Sequence, residues 1–360
     1  MVKAGERLRY APDHATPPGV SLRSTLVVLG MTQAELATRT GLSLKHVNQI
    51  VQGTAPLTHE TALLLEKVTR VPAKIWNALE AGYRDHLARI EDRRSLEGAA
   101  NWLKEIPVRE LVNRGYLPES SDRGALLAEV CRFFGVANRE AWETLWRSPL
   151  AAFRKSPTIS SDAGAVAAWL RIGEVEANSI QCAPFDAPRL RETLHEIRAL
   201  TTAQPDDFEP RLKKLCGAAG VAVVFVPEIK GTRCWGAARW LTPTRALIQL
   251  SLRYKSDDHL WFSFFHEAAH LLLHSKKATF ITTDRFSDSA EKEADSFAAS
   301  FLIPQQYESR LRELSISDIR PFAEEVGIAP GVVVGRLQNE GILNWNEGNS
   351  LKRRFEFVEK

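Results

Sequence analysis

Between Asp258 and His274 the chain carries a helix-length stretch that is apolar on nearly every side. Leu260-Trp-Phe-Ser-Phe-Phe265 precedes, and Leu271-Leu-Leu273 follows, the segment His266-Glu-Ala-Ala-His270. A helix that is hydrophobic all round belongs in a core, so whatever this chain folds into is built around an element with two imidazoles and a carboxylate at its centre. Their four-residue spacing places His266 and His270 on one helical face. That geometry lets both bind one Zn²⁺, while Glu267, beside the first, serves as base toward the water that attacks an amide.

A zinc peptidase site needs a third protein ligand. No Gly–His extension follows, because positions 273 and 276 are Leu and Lys. A second helix, expected over about Ala290–Leu302 and stopped by Pro304, offers Glu291, Glu293 and Asp295 instead. Glu291 and Asp295 share a face at i, i+4, which suits Glu291 as ligand and Asp295 as the group holding a ligand imidazole from behind. Glu293 lies about 200° round the helix from Glu291 and is the alternate. His274 extends the imidazole stripe as a flanking or packing residue, and Arg253, Tyr254 and Tyr307 are nearby candidates for steadying an oxyanion. The four cysteines, Cys131, Cys182, Cys216 and Cys234, form no CxxC pair. A thiolate zinc site and a disulfide framework are therefore not expected, and the metal falls to His and Glu.

Upstream, Val221–Val226 is a continuous apolar run, and Arg245–Arg253 alternates around Ala246, Ile248, Leu250 and Leu252. With Gly236–Leu241 between them, these predict a small antiparallel sheet. The stretch Ser275–Ser289 is read as a polar loop. Phe265-His-Glu-Ala-Ala-His-Leu-Leu-Leu-His274, then Glu291-Lys-Glu-Ala-Asp-Ser-Phe-Ala298 and Leu302-Ile-Pro304, resemble the ImmA/IrrE family of zinc metallopeptidases over about Leu212–Pro304. The resemblance implies a small sheet over the active-site helix and a gluzincin-like His, His, Glu zinc site. It further implies cleavage of a repressor of the Cro-like class. Here a DNA-reading segment is already on the same chain, so a separate repressor is not required as substrate.

That segment is the first ninety residues, which carry a local charge of +4 where the whole chain, with 47 Lys and Arg against 44 Asp and Glu, carries only +3. Thr32-Gln-Ala-Glu35 is a capping box opening a helix over Gln33–Thr40 that ends at Gly41. Ser43 caps a second helix, Leu44–Gln52, closed by Gly53. Leu36, Ala37, Leu42, Val47 and Ile50 fall where a tight helix–turn–helix needs apolar contacts. Ser43, Lys45, His46, Asn48, Gln49 and Gln52 then point outward, and such side chains reach base edges and phosphates in a major groove. From Pro18 to Tyr83 the chain resembles the Cro- and lambda-repressor-type helix–turn–helix, specifically HigA-like antitoxins. The resemblance rests on Pro18-Gly19, Leu29-Gly-Met-Thr-Gln33, Glu35-Leu-Ala37, Gly41, Ile50, Gly53, Ala62 and Trp76. It implies five helices, a homodimer, and a palindromic double-stranded DNA operator with the 44–52 helix in the major groove. Gln33 joins the candidate DNA contacts.

The fold class expected is multidomain and mainly α with a small sheet (α+β). A lambda-repressor-like helix–turn–helix domain is placed at 1–90, a helical spacer at 91–210, a gluzincin-like zinc peptidase domain at 211–305, and a helical segment at 306–360. Breaks at Pro118–Gly124, Lys155–Gly164, Pro184–Pro188 and Thr201–Pro210 punctuate the spacer. Near the end, Phe322-Ala-Glu-Glu-Val-Gly327 echoes Leu36-Ala-Thr-Arg-Thr-Gly41. The following Val332-Val-Val-Gly335 and the acidic Glu324 and Glu325 favour a packing pair over a second DNA reader. No apolar run approaches the roughly 20 residues of a membrane span, and the first thirty residues hold charges and Pro17–Pro18 but no signal-like apolar block. A cytoplasmic regulator is expected, coupling operator binding to proteolysis of itself, a repressor or an antitoxin, with a toxin as a further partner. The competing reading is a HigA-like antitoxin or repressor whose metal domain is a sensor or scaffold that cuts nothing.

Overall fold

The computed structural model describes residues 15–98, 100–147, 162–276, 280–283 and 289–358. Most of the break at Lys155–Gly164, and residues 277–279 and 284–288 of the loop Ser275–Ser289, lie outside them. The chain divides into two compact units, Met1–Ala100 with Asp122–Ala128, and Asn101–Ser121 with Glu129–Lys360. No helix among the described residues is long and apolar enough to cross a membrane.

The first unit opens with five helices: α1 (Pro18–Val28), α2 (Gln33–Thr40), α3 (Leu44–Gln52), α4 (His59–Thr69) and α5 (Ala73–Gly98). The Thr32 hydroxyl accepts from the Glu35 backbone N–H at 3.1 Å, and Ser43 does the same for His46 at 3.1 Å. Gly41 and Gly53 end α2 and α3 at φ 75° and 74°, where a side chain would be strained. The capping box differs from expectation in its second half. The Glu35 carboxylate pairs with Arg39 one turn on, at 2.6 Å, because an i, i+4 cation on the exposed face competes for it. Leu22, Leu36, Val47, Ile50, Leu65 and Trp76 form the core that clamps α3 against its neighbours.

The second unit is organised by a four-stranded sheet of β1 (Val221–Phe225), β2 (Cys234–Thr242), β3 (Arg245–Leu250) and β4 (Phe280–Thr283), in the order β1-β3-β2-β4. The antiparallel sheet predicted from the sequence is instead mixed: β2 runs antiparallel to β3 and β4, but β1 pairs parallel with β3, Val223 opposite Ile248. The physical reason is visible in β1 itself. Its continuous apolar run is buried on both faces, as a parallel strand between covering helices must be. The fourth strand lies inside the stretch read as a loop.

Val221, Val223, Ala238, Ala246 and Ile248 join Trp261, Phe264, Phe265 and Ala268 of the Asp257–Leu273 helix in one core. The opposite face is covered by the Ala163–Ala177 helix, which lies along β1, β2 and β3. There Gln249 Nε2 donates to the Trp169 carbonyl at 2.7 Å, and the Trp169 indole N–H donates to the Val226 carbonyl at 3.0 Å. Part of the segment read as a spacer therefore supplies a layer of this fold. The Ile319–Val326 and Pro330–Asn339 helices are also built in. Val332, Val333, Val334 and Leu337 are buried, and Gly331 and Gly335 let the second helix approach Asp257 and Asp258 closely. The chain end returns to the same place. Ser256 and Arg354 form an antiparallel bridge, Lys352 Nζ meets Asp258 Oδ2 at 2.6 Å, and Arg353 Nε meets Asp257 Oδ2 at 3.2 Å.

Candidate functional site

The Asp257–Leu273 and Ser289–Leu302 helices pack side by side, and their facing turns carry the candidate ligands. His266 Nε2 lies 3.0 Å from Glu291 Oε2 and 3.0 Å from His270 Nε2, which is itself 3.4 Å from Glu291 Oε1. All three residues are buried, and one ligand atom from each falls within 4.8 Å of the others. Two imidazole nitrogens and a carboxylate oxygen converging in a buried site are a donor set suited to a divalent cation such as zinc. Both imidazoles are backed by a second contact. Asp295 Oδ1 holds His266 Nδ1 at 2.9 Å, and His274 Nδ1 lies 2.9 Å from His270 Nδ1. The Phe280 ring stacks on His270 with centroids 4.1 Å apart and planes 12° apart.

Glu293 sits apart from this cluster. Its carboxylate is largely exposed and lies 3.4 Å from His274 Nε2, so the helix turns Glu291 and not Glu293 toward His266 and His270. Glu267 is fully buried beside His266. Its Oε1 accepts a 2.6 Å hydrogen bond from the Thr282 hydroxyl, whereas its buried Oε2 has no hydrogen-bond partner among the described residues. Gly236 leaves the room for this carboxylate, since a Cβ there would stand 2.4 Å from Glu267 Oε1.

Electrostatics in the metal-free cluster follow from burial and these contacts. Burial pushes the Glu267 carboxyl up to about 8 against the pull of His266. Burial alone would lower His266, but its hydrogen bonds to Asp295 and Glu291 prevail and hold it up at about 10. Glu291 is likewise opposed by burial, and the bonds from His266 and His270 carry it down to about 2. His270 is lowered, mainly by burial.

Thr282, Phe280 and Gly236 did not stand out in the sequence. The first two lie in a stretch with no periodic pattern; only a glycine inside a strand signals close approach of another group. Of the oxyanion candidates, Arg253 pairs with Glu228 at 3.1 Å, Tyr254 stacks on His259 at 4.2 Å, and Tyr307 packs edge-on against Phe322.

In the first unit α3 presents Lys45, Asn48 and Gln52 exposed on its surface, with His46 and Gln49 half-buried. Ser43 is exposed but its hydroxyl is engaged in the cap, and Gln33 is half-buried at the start of α2 with its Oε1 enclosed. Lys45, Asn48 and Gln52 thus form the outward face through which α3 could meet a groove.

Residues 28–76 match the helix-turn-helix family model, and residues 231–338 match that of the IrrE N-terminal-like domain. The chain thus carries a helix-turn-helix domain and, after it, an IrrE-like domain whose match extends into the Pro330–Asn339 helix. Among solved structures, 24% of this chain aligns with 94% of an addiction module antidote protein of the HigA family from Coxiella burnetii, at 26% identity and a TM-score of 0.22. The same share aligns with 94% of the Pseudomonas aeruginosa antitoxin HigA solved with the higBA promoter, at 24% identity and a TM-score of 0.22. No curated protein matches the chain.

Proposed function

We propose that this protein is a DNA-binding transcriptional regulator whose second unit is a zinc-dependent endopeptidase acting on a regulator protein: itself, a repressor or an antitoxin. The observation that carries the reading is the placement of an unpaired, buried Glu267 Oε2 beside three converging ligand atoms. A metal scaffold needs the ligands but has no use for a buried carboxylate held free next to them.

In this reading His266, His270 and Glu291 hold Zn²⁺, and Asp295 keeps the His266 ring in the orientation that offers Nε2 inward. Zinc bound there supplies Lewis acidity toward water and the scissile carbonyl. Glu267 takes the proton from the attacking water and delivers it to the leaving amine nitrogen, a shuttle suited to a buried carboxylate with one oxygen unpaired. In the first unit α3 reads an operator, with Lys45, Asn48 and Gln52 foremost and Gln33, Ser43, His46 and Gln49 around them. A homodimer on a palindromic site is the assembly proposed, and a toxin is the proposed partner if the chain acts as an antitoxin.

Metal content of the purified chain, measured alongside cleavage of the chain itself and of neighbouring regulators by wild type and Glu267→Gln, tests the proposal. Stoichiometric zinc in both proteins, with cleavage only by wild type, is the expected result. Cleavage that persists in Glu267→Gln, or a chain that takes up no zinc, would refute it.

A further inference from the structure

A cavity of about 470 Å³ opens beside the candidate metal centre, and two of its lining residues neighbour His266. Asp295 bonds His266 Nδ1, and the Phe262 ring lies 6.2 Å from the His266 ring. The remaining walls combine aromatic faces with surplus negative charge. Trp235 and Trp345 line it, the latter 65% exposed, and so do Glu308 and Glu340, whose carboxylates share the single guanidinium of Arg336. One arginine between two carboxylates leaves a negative charge over.

From this we infer that the cavity is a subsite for a cationic side chain, arginine or lysine, of a peptide lying across the metal centre; the inference rests on the peptidase reading of that centre. An arginine side chain reaching in passes Phe262 and sets its guanidinium between the indole faces and the Glu308–Glu340 pair. Cation–π contact and charge-assisted hydrogen bonds both reward a positive charge there. A leucine would leave the two carboxylates without new partners, and an aspartate would meet like charge. The subsite therefore selects which bond of a protein substrate is presented, by the residue that flanks it.

Calorimetric titration of full-length, zinc-loaded Glu267→Gln protein with N-acetyl-Ala-Ala-Arg-Ala-Ala-amide reads this directly, with citrulline, leucine and aspartate replacing arginine in matched peptides. Citrulline keeps the shape of arginine and removes its charge. The arginine peptide is expected to bind about tenfold more tightly than the citrulline peptide, the size of one hydrogen-bonded charge. Added Glu308→Gln and Glu340→Gln substitutions should erase that difference. Trp345→Ala, at an exposed position, should narrow it even if the double variant folds poorly. Absence of binding, equal binding of the arginine and citrulline peptides, or a preference that survives every variant overturns the subsite. Wild-type cleavage of the same peptides reports separately. Arginine preference without any cleavage would leave the subsite standing and remove the peptidase reading, whereas cleavage indifferent to arginine would do the reverse.

Discussion

Gly236 and Thr282 stand opposite one another across β2 and β4, and both meet the carboxylate of Glu267. The pairing makes a small clamp. Thr282 supplies the single donor to Oε1, and the missing side chain at Gly236 supplies the space. In the proposed mechanism both act on the proton carrier, Glu267.

Thr282→Val should therefore lower kcat by about 10- to 100-fold, the usual cost of losing a partner that orients a site residue, with zinc content unchanged. Thr282→Ser keeps the donor and should recover most of the rate. Gly236→Ala should be at least as damaging, because its Cβ would overlap Glu267 Oε1, Cγ and Cδ at 2.4, 2.8 and 2.9 Å. Single-turnover cleavage beside zinc analysis checks all three. Loss of zinc in Thr282→Val would show that the strand supports the ligands and not the base.

A second expectation concerns pH. In the metal-free chain His266 is held up at about 10 and Glu267 at about 8. A histidine raised above its unfolded value of 6.5 stabilises the fold below that value and loses the contribution as pH rises through about 10. A carboxyl raised by burial disfavours folding once ionised, so its penalty grows as pH climbs from 4.5 to about 8. The two act in the same direction. Metal-free protein should lose thermal stability between pH 6 and 10, and the gain in thermal midpoint on adding zinc should increase over that interval. Zinc binding near pH 8 should release about one proton from His266, measurable by calorimetry in buffers of different ionisation enthalpy. Proton uptake on binding would contradict this account.

These relationships differ in how readable they are from the chain. The His266–His270 spacing and the shared face of Glu291 and Asp295 are helix-periodic, and periodicity survives in one dimension. The caps at Thr32 and Ser43 are equally local. Thr282 and Gly236 are not: their meeting depends on the register between β2 and β4, two strands about forty residues apart, with the Asp257–Leu273 helix between them. The parallel β1–β3 pairing was misread for a related reason. An apolar run such as Val221–Val226 reports burial on both faces but not strand direction. The Ala163–Ala177 helix reads as connecting structure because it covers a sheet that begins about forty residues downstream.

In the first unit, Lys45→Ala combined with Asn48→Ala removes two side chains that are exposed on α3 and make no contribution to the Leu36–Val47–Ile50 core. Operator binding should fall by at least about tenfold, with helix content and thermal midpoint preserved. Footprinting on DNA upstream of the chain's own coding region measures the first, and circular dichroism the second. An unaltered footprint would move the reading face away from α3.

The last expectation links the chain end to the Asp257–Leu273 helix. Asp257 is the first residue of that helix and is fully buried, and burial raises its carboxyl despite the opposing bonds from Arg353. Arg353 donates to it through Nε at 3.2 Å and through its backbone N–H at 3.1 Å, and Nη1 reaches the carbonyls of Ala203 at 2.7 Å and Thr202 at 3.2 Å. One side chain therefore ties the helix start to a segment more than fifty residues away. Removing it leaves a buried carboxylate without its cation, the situation that costs about 3–5 kcal/mol in proteins. Arg353→Ala should lower the midpoint of denaturation of the second unit and speed hydrogen exchange along residues 257–273, leaving exchange in α1–α4 unchanged. Asp257→Asn in the same background removes the stranded charge while keeping Oδ1 as an acceptor for the Asp258 N–H at 3.0 Å. It should restore a large part of the loss. If the double variant is no more stable than Arg353→Ala, the contribution of Arg353 lies in its carbonyl contacts and not in neutralising Asp257.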